Sequence, residues 1–550
     1  MFHIARRAFL ATLLAAAGLA TAAPPKLETL FPAGAKRGCE AEVTADGSFS
    51  SWPVRAWVDR PGLQIQPGKQ KGNLRISVDP DASCGVYYLR LYSDEGCSSL
   101  RPFLVGTLAE IAEQEPNDEI KQAQHLSASV TVNGRLKKSG DVDGFAIKLE
   151  AGQQLVASLQ ANTSLGSPMD GVLQICSQRG FVLQQNDDAR GLDPLLSFAA
   201  PRAGTYIVRT FAFPSTPNGT IGFAGSSAYV YRLTLTTGGY LDHSLPLAIP
   251  RGESTELKLF GWNIGPDVKP LLIVGQANRD WVEVFHPQLA STLLLPQVVM
   301  PCLVADKSSS PGQPQPVELP INVSGRIESG RDEDVFEFTG RQGQKVICRA
   351  ESDALGYLLD PLLILSDSSG KELSRVDDTK RARDSVLRAT LPAEAKYRIS
   401  IRDVHGQGGL RYAYRLTVRE EQPDFTLTVA ADSFVLTPST PLEIPVAIGR
   451  LEGFASELRI EATSLPEGVT AEAVKSAVKG DSSKSVKLVL KAGSGTSAGT
   501  IQIHGTEIGG REIRRNATYS LSATPRRGKD VWLTVLKSER GCGVPAAVRQ

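Results

Sequence analysis

The chain has 550 residues, which at roughly 100–200 residues per domain implies about three to five modules rather than one core. Lys and Arg total 60 against 59 Asp and Glu, so the formal charge of +1 gives no sign of the basic surface that nucleic acid requires. Aromatic residues make up only 6%, while 51 Gly and 34 Pro suit short strands and tight turns better than long helices.

Residues 1–23 follow the order of a signal peptide: Arg6-Arg7, an apolar run from Phe9 to Ala17, then small residues at Ala20-Thr21-Ala22-Ala23. The run is shorter than the roughly 20 residues that span a bilayer, so export without a transmembrane segment in the mature chain is expected. Arg6-Arg7-Ala8-Phe9-Leu10 also resembles a twin-arginine signal, and the general secretory route stays open beside it. Without Arg6 and Arg7 the balance becomes 58 basic to 59 acidic residues.

Beyond the leader, period-2 alternation recurs at Val142–Leu149, Tyr231–Leu235, Val335–Phe338 and Val486–Leu490, each reading as a strand with one buried face. Helix-like stretches are short and fall near Glu119–Leu126 and Ala471–Val478. Internal repetition is the stronger signal. Gly134-Arg135-Leu136, Asp141, Asp143, Phe145, Asp193 and Tyr206 recur 191 positions later as Gly325-Arg326-Ile327, Asp332, Asp334, Phe336, Asp384 and Tyr397. A closing strand, Tyr229–Thr234, recurs 183 positions on as Tyr412–Thr417, so an intervening loop is eight residues shorter in the second copy. Arg37-Gly38 with Gly47 likewise matches Arg251-Gly252 with Gly261. The order is therefore A, B, A, B, followed by a fifth strand-rich segment whose Leu465–Val469 resembles an immunoglobulin-like turn.

Glu113-Gln114-Glu115-Pro116-Asn117-Asp118, then Gly140-Asp141-Val142-Asp143 and Phe145, resembles the bacterial pre-peptidase C-terminal domain. That family consists of jelly-roll β-sandwiches appended to secreted peptidases and other exported proteins. The A segments resemble the IPT/TIG type, and the whole arrangement is similar to secreted proteins of planctomycetes. The expected fold is all-β, a string of five β-sandwich domains, immunoglobulin-like and jelly-roll-like. The divisions are a signal peptide (1–23), A (24–108), B (109–238), A (239–305), B (306–421), an immunoglobulin-like sandwich (422–524) and a C-terminal tail (525–550).

In collagen-binding members of the family an acidic linker and a later Asp pair bind calcium, so the resemblance implies Ca²⁺ ligands at Glu113, Glu115, Asn117, Asp118, Asp141 and Asp143. Five carboxylates and an amide suit an ion that takes six to eight oxygens. Asp141 and Asp143 also share a strand side with Phe145 and Ile147, which places charge at the rim of a core where it needs compensation. The alternative is that these residues cap turns. In the second B segment Pro311–Pro316 replaces the acidic string, and Asp332 with Asp334 alone makes a poor site. Asn186-Asp187-Asp188 with Asp193, and Asp377-Asp378 with Asp384, read as turns in preference to a metal or acid–base site.

No catalytic constellation is expected. Gly495-Thr496-Ser497-Ala498-Gly499 matches G-x-S-x-G, but Thr500–His504 continues as a strand where a nucleophile elbow needs a helix. The histidines after the leader, His125, His243, His286, His405 and His504, are scattered and form no H-E-x-x-H. The seven cysteines contain no C-x-x-C pair, and export permits one bridge among Cys39, Cys84 and Cys97. Most of the five tryptophans read as core residues, with Trp532 in a terminal strand or docked tail. The function expected is that of an exported, non-enzymatic binding or adhesion protein whose partner is an extracellular protein or polysaccharide. A structural component of the envelope and an accessory part of a secreted hydrolase are the alternatives.

Overall fold

The computed structural model describes residues 23–537 apart from 217, 218, 220, 221, 278, 379–382, 494–497 and 522–525. Residues 1–22 of the expected signal peptide, Ser497 and Cys542 lie outside the described residues. Strand accounts for 56% of the structure and helix for 2%, so the chain is all-β, with its sheets pairing into several sandwich-like modules.

The two B modules share one topology. In the first, one five-stranded sheet runs Ala109–Ala112, Val130–Arg135, Val230–Thr236, Gln154–Gln160, Leu195–Ala199. Its partner sheet runs Gln124–Leu126, Asp143–Leu149, Gly204–Pro214, Met169–Ser177, Val182–Asn186. The second B module repeats both orders, and its core repeats the chemistry: Phe145, Leu173, Val208 and Tyr231 of the first core answer to Phe336, Leu363, Ile399 and Tyr414 of the second. The glycine of each G-R-[L/I] motif has a steric reason. A β-carbon on Gly134 would collide with the ring of Tyr231, and one on Gly325 with Tyr414.

Both helix expectations are corrected. Around Glu119 the chain makes a turn closed by Gln122 N donating to Glu119 O, and Gln124–Leu126 then pairs in parallel with Phe145–Ile147. Val469–Ala471 and Val474–Ser476 are strands, the latter paired with Leu458–Ile460. In both places too few residues were available to offset the cost of starting a helix, and an open strand edge supplied partners instead. Of the two readings for Trp532, the structure shows the terminal strand: Asp530–Val535 pairs with Ala498–Gln502 and with Ser433–Leu436 inside the last sheet and buries Trp532. Among the described cysteines none is bridged. Cys39 is exposed, Cys84 is in the core of the first A module, and Cys97 Sγ accepts from Arg90 Nη1 at 3.1 Å.

The modules fold back on one another through buried ions. In the strand Tyr240–Leu245 of the second A module all six residues are buried, because the strand lies between both B modules. Asp242 there receives Arg190 Nη2 of the first B module at 3.1 Å, Arg411 Nε of the second at 3.1 Å, and lies 3.0 Å from His243 Nδ1. Burial alone would push the pKa of this carboxyl up, but the His243 hydrogen bond and the two guanidinium groups hold it well below the usual range. The first A module is tied to the first B module by Asp46 and Arg135 at 2.7 Å, and to the last module by Arg90 and Asp432 at 3.2 Å. Glu283 of the second A module takes Arg60 from the first and Arg526 from the C-terminal part, the latter at 2.7 Å.

Removing one partner of a buried ion network leaves the others uncompensated. Asp242→Ala is therefore expected to destabilise the protein by roughly 3–5 kcal/mol. Urea unfolding followed by tryptophan fluorescence would check this, and an unchanged midpoint would count against the junction's importance.

Candidate metal centre

The six residues singled out in the first B module lie on two adjoining pieces of chain. Glu113 follows the strand Ala109–Ala112 and is fixed by its N–H donating to Asn133 O at 3.0 Å. Asn117 is fixed by its carbonyl accepting from Gly144 N at 3.1 Å, and Asp143 opens the strand Asp143–Leu149. Backbone pairing therefore brings the acidic linker onto the start of the Asp strand.

The carboxylates form two layers. In one, oxygens of exposed Glu115, half-buried Asp118 and buried Asp141 lie within 4.8 Å of one another. Behind them, Tyr231 Oη donates to Asp143 Oδ2 at 2.6 Å and lies 3.3 Å from Glu113 Oε2, which also accepts from Arg135 N at 2.9 Å. Asp141 Oδ2 accepts from the backbone N–H of Lys137. The room for Tyr231 to reach this layer comes from Gly134, so the glycine of the repeat positions a site residue.

Oxygens are left over after these bonds. Asp118 Oδ1, Asp141 Oδ1, Asp143 Oδ1, Glu113 Oε1 and both amide atoms of Asn117 are buried without a hydrogen-bond partner. A buried polar atom without a partner costs roughly 1–3 kcal/mol, more when charged, so such a concentration demands a counter-charge. Part of it comes from Lys137, whose ammonium lies 3.3 Å from both Glu113 Oε1 and Glu115 Oε1 but is half exposed. Lys138 Nζ stands 3.9 Å from Asp118 Oδ2. Burial pushes the carboxyls of Glu113 and Asp141 up from their ordinary values, the latter with help from the charges of Glu115 and Asp118. Burial and then the Glu113 charge push Asp143 up to about 9. Hard oxygen donors, unpartnered and mutually repelling, fit a divalent cation of the Ca²⁺ type. Glu115, Asp118 and Asp141 would hold it directly, with Glu113, Asn117 and Asp143 behind them.

The second B module supplies the contrast. Ala305 N donates to Ser324 O at 2.8 Å as Glu113 N does to Asn133 O, and Asp306 N to Gln315 Oε1 as Gln114 N does to Gln124 Oε1. By that register Ala305, Lys307, Ser309 and Ser310 occupy the places of Glu113, Glu115, Asn117 and Asp118. Ser309 Oγ bonds both the N–H and the carbonyl of Val335, at 2.9 and 2.7 Å, and Asp332 Oδ2 accepts from Glu328 N at 2.8 Å. Neither Asp332 nor Asp334 retains a buried unpartnered oxygen. Asp334, held by Tyr414 Oη at 2.5 Å, is pushed by burial up to about 7.

Most of the other acidic groups singled out from the sequence serve the backbone. Asp193 accepts from the N–H groups of Ala161, Asn162 and Thr163 at 2.7–3.2 Å, and Asp384 from Ser352, Asp353 and Ala354 at 2.8–3.0 Å. Asn186 Oδ1 accepts from Leu195 N at 2.9 Å, and Asp187 Oδ1 and Asp377 Oδ1 each accept from the following residue's N–H. His504 has the acidic neighbour that its sequence surroundings did not reveal: Nε2 lies 3.0 Å from Glu461 Oε1 across paired strands. Lys137 and Tyr231 were not singled out from the sequence, though Tyr231 recurs as Tyr414 and so carried a signal in the repeat.

No known family profile matches the chain. A stretch is 34% identical over 205 residues to a probable subtilase-type serine protease of Deinococcus radiodurans, covering 33% of this chain and 28% of that one. The chain thus spans less than a third of that relative's length. Among solved structures, the pre-peptidase C-terminal domain of a Bacillus anthracis collagenase matches 20% of this chain and all of that domain, at 15% identity and a TM-score of 0.17. PliG of Salmonella Typhimurium, a periplasmic inhibitor of g-type lysozyme, matches 20% of this chain and 99% of its own at 17% identity and a TM-score of 0.14. Among the described residues no helix is long and apolar enough to cross a membrane.

The raised carboxyls give a pH dependence of definite sign. Between the unfolded value of about 3.9 and the folded value of about 9, metal-free Asp143 binds more protons folded than unfolded, so stability falls as pH rises through that window. Melting temperature in EDTA is expected to fall from pH 5 to 8.5, with a calcium-induced rise that widens over the same range. Asp143→Asn should flatten the EDTA profile and abolish the rise. Coincident EDTA and calcium profiles for the wild type would contradict the site.

Proposed function

We propose that the chain acts outside the cytoplasm as a non-enzymatic binding or adhesion protein, with its first B module stabilised by Ca²⁺. The observation that carries the metal half is the set of buried oxygens without a hydrogen-bond partner on Asn117, Asp118, Asp141 and Asp143, beside Glu113 Oε1, which has only the half-exposed Lys137 ammonium; no such set occurs at the matching positions of the second B module. The non-enzymatic half draws support from the employment of the candidate groups. Asp193 and Asp384 are tied to backbone N–H groups, and His243 and His504 are buried and hydrogen-bonded to carboxylates. A scaffold of several β-sandwich modules suits the capture of an extracellular protein or polysaccharide.

The stretch shared with the subtilase-type protease favours a second reading, an accessory part of a secreted peptidase. The two separate in one experiment. The mature protein is passed over cell-wall, glycan and collagen-like panels in calcium and in EDTA, and the same preparation is assayed on broad protease substrates. Calcium-dependent retention on a panel without hydrolysis is expected. Absence of retention everywhere would remove the binding reading, and hydrolysis that vanishes in Ser497→Ala would replace it with an enzymatic one.

A further inference from the structure

The hairpin Met169–Ser177 to Val182–Asn186 puts its second strand at the open edge of a sheet in the first B module. Unpaired edges attract other chains, and proteins blunt them with charge, proline or bulges. A bulge is present here, because Ile175 pairs with Gln184 and Cys176 with Val182, leaving Leu183 unpaired. It does not hide the edge. Phe181, Val182 and Leu183 are 67%, 49% and 45% exposed, and from Gly180 to Asn186 there is no charged residue and no proline. The duplicate hairpin has the same bulge, yet carries Lys371, Glu372 and Arg375 along its edge, the last two ion-paired at 2.7 Å. The same framework is therefore guarded in one copy and unguarded in the other.

The flanks of the apolar run indicate what covers it. Arg179 is exposed at one end, and Asp187 and Asp188 are exposed at the other. Arg179 sits in the hairpin turn closed by Gly180 N donating to Ser177 O, at the opposite end of the apolar run from Asp187 and Asp188, so an antiparallel two-fold apposition of the run brings the basic end of each copy toward the acidic end of its mate. Opposite charges at both ends and neutral residues between make the edge complementary to itself. We infer that residues 179–188 form a self-association surface whose partner is a second copy of this chain. The bulge at Leu183 and the turn before Phe181 interrupt regular backbone pairing about this axis, so the contact rests on side chains.

This goes beyond the calcium reading and does not depend on it, and dimerisation is expected equally in calcium and in EDTA. Sedimentation equilibrium of the mature chain should show a reversible monomer–dimer equilibrium. Leu183→Lys should raise its dissociation constant at least about tenfold, as should Arg179→Asp or Asp187→Arg alone, while Arg179→Asp combined with Asp187→Arg should restore it. Ser374→Lys, on the guarded edge, should change nothing, and unchanged melting temperatures would show that the variants fold. A wild type that stays monomeric would overturn the inference, as would one that pairs only with a different chain. A dimer indifferent to Leu183→Lys, or a double swap that fails to rescue, would do the same.

Discussion

Buried negative charge that the protein does not fully neutralise is the constraint around which the first B module is arranged. Five carboxylates and an amide stand where the linker meets the strand Asp143–Leu149, and the protein's own answer to them is partial: one phenol, a few backbone N–H groups and the ammonium of half-exposed Lys137. An apolar surrounding strengthens both the repulsion among these groups and the attraction of a cation to them. Held apart from an ion, the module lowers its charge by keeping a proton on Asp143, whose carboxyl burial and the Glu113 charge push up to about 9. With an ion it has no need to, which is why metal and proton compete for the same oxygens.

The second B module shows what happens to that framework when the constraint is lifted. The topology, the core and the glycine–tyrosine contact persist, with Tyr414 still on Asp334. Where the linker supplied carboxylates it now supplies alanine, lysine and serines, and Ser309 satisfies the backbone directly. The fold thus tolerates both solutions, and the acidic one is not a requirement of sandwich packing. The same pair of modules diverges again at the outer hairpin, charged in one copy and neutral in the other. Duplication has left a common scaffold carrying two different surfaces.

Much of the scaffold was legible because a sandwich strand writes period-2 alternation into its residues and because duplication writes it twice. The separation of 191 positions joined Asp141 to Asp332 and Phe145 to Phe336 without knowledge of their contacts. Residues 119–126 read as helix since polar and apolar residues there suit either state, and the choice was made by the free edge of Phe145–Ile147. The strand Tyr240–Leu245 carries Asp242 and His243 in a segment buried on every side, a placement that depends on three modules meeting and leaves no local trace. The acidic string announced the candidate metal centre. Lys137, its internal counter-ion, looked like any surface lysine, because only the geometry puts its ammonium between Glu113 and Glu115.

The most direct test of the cation centre is a count of bound ions. Equilibrium dialysis of the mature chain against micromolar to millimolar calcium at pH 7.5 measures stoichiometry irrespective of stability or partners. One ion per chain is expected, falling to none in the Asp141→Asn/Asp143→Asn double variant and unchanged in Asp332→Asn/Asp334→Asn. No bound ion in the wild type, or binding that survives the first pair of substitutions, would contradict it.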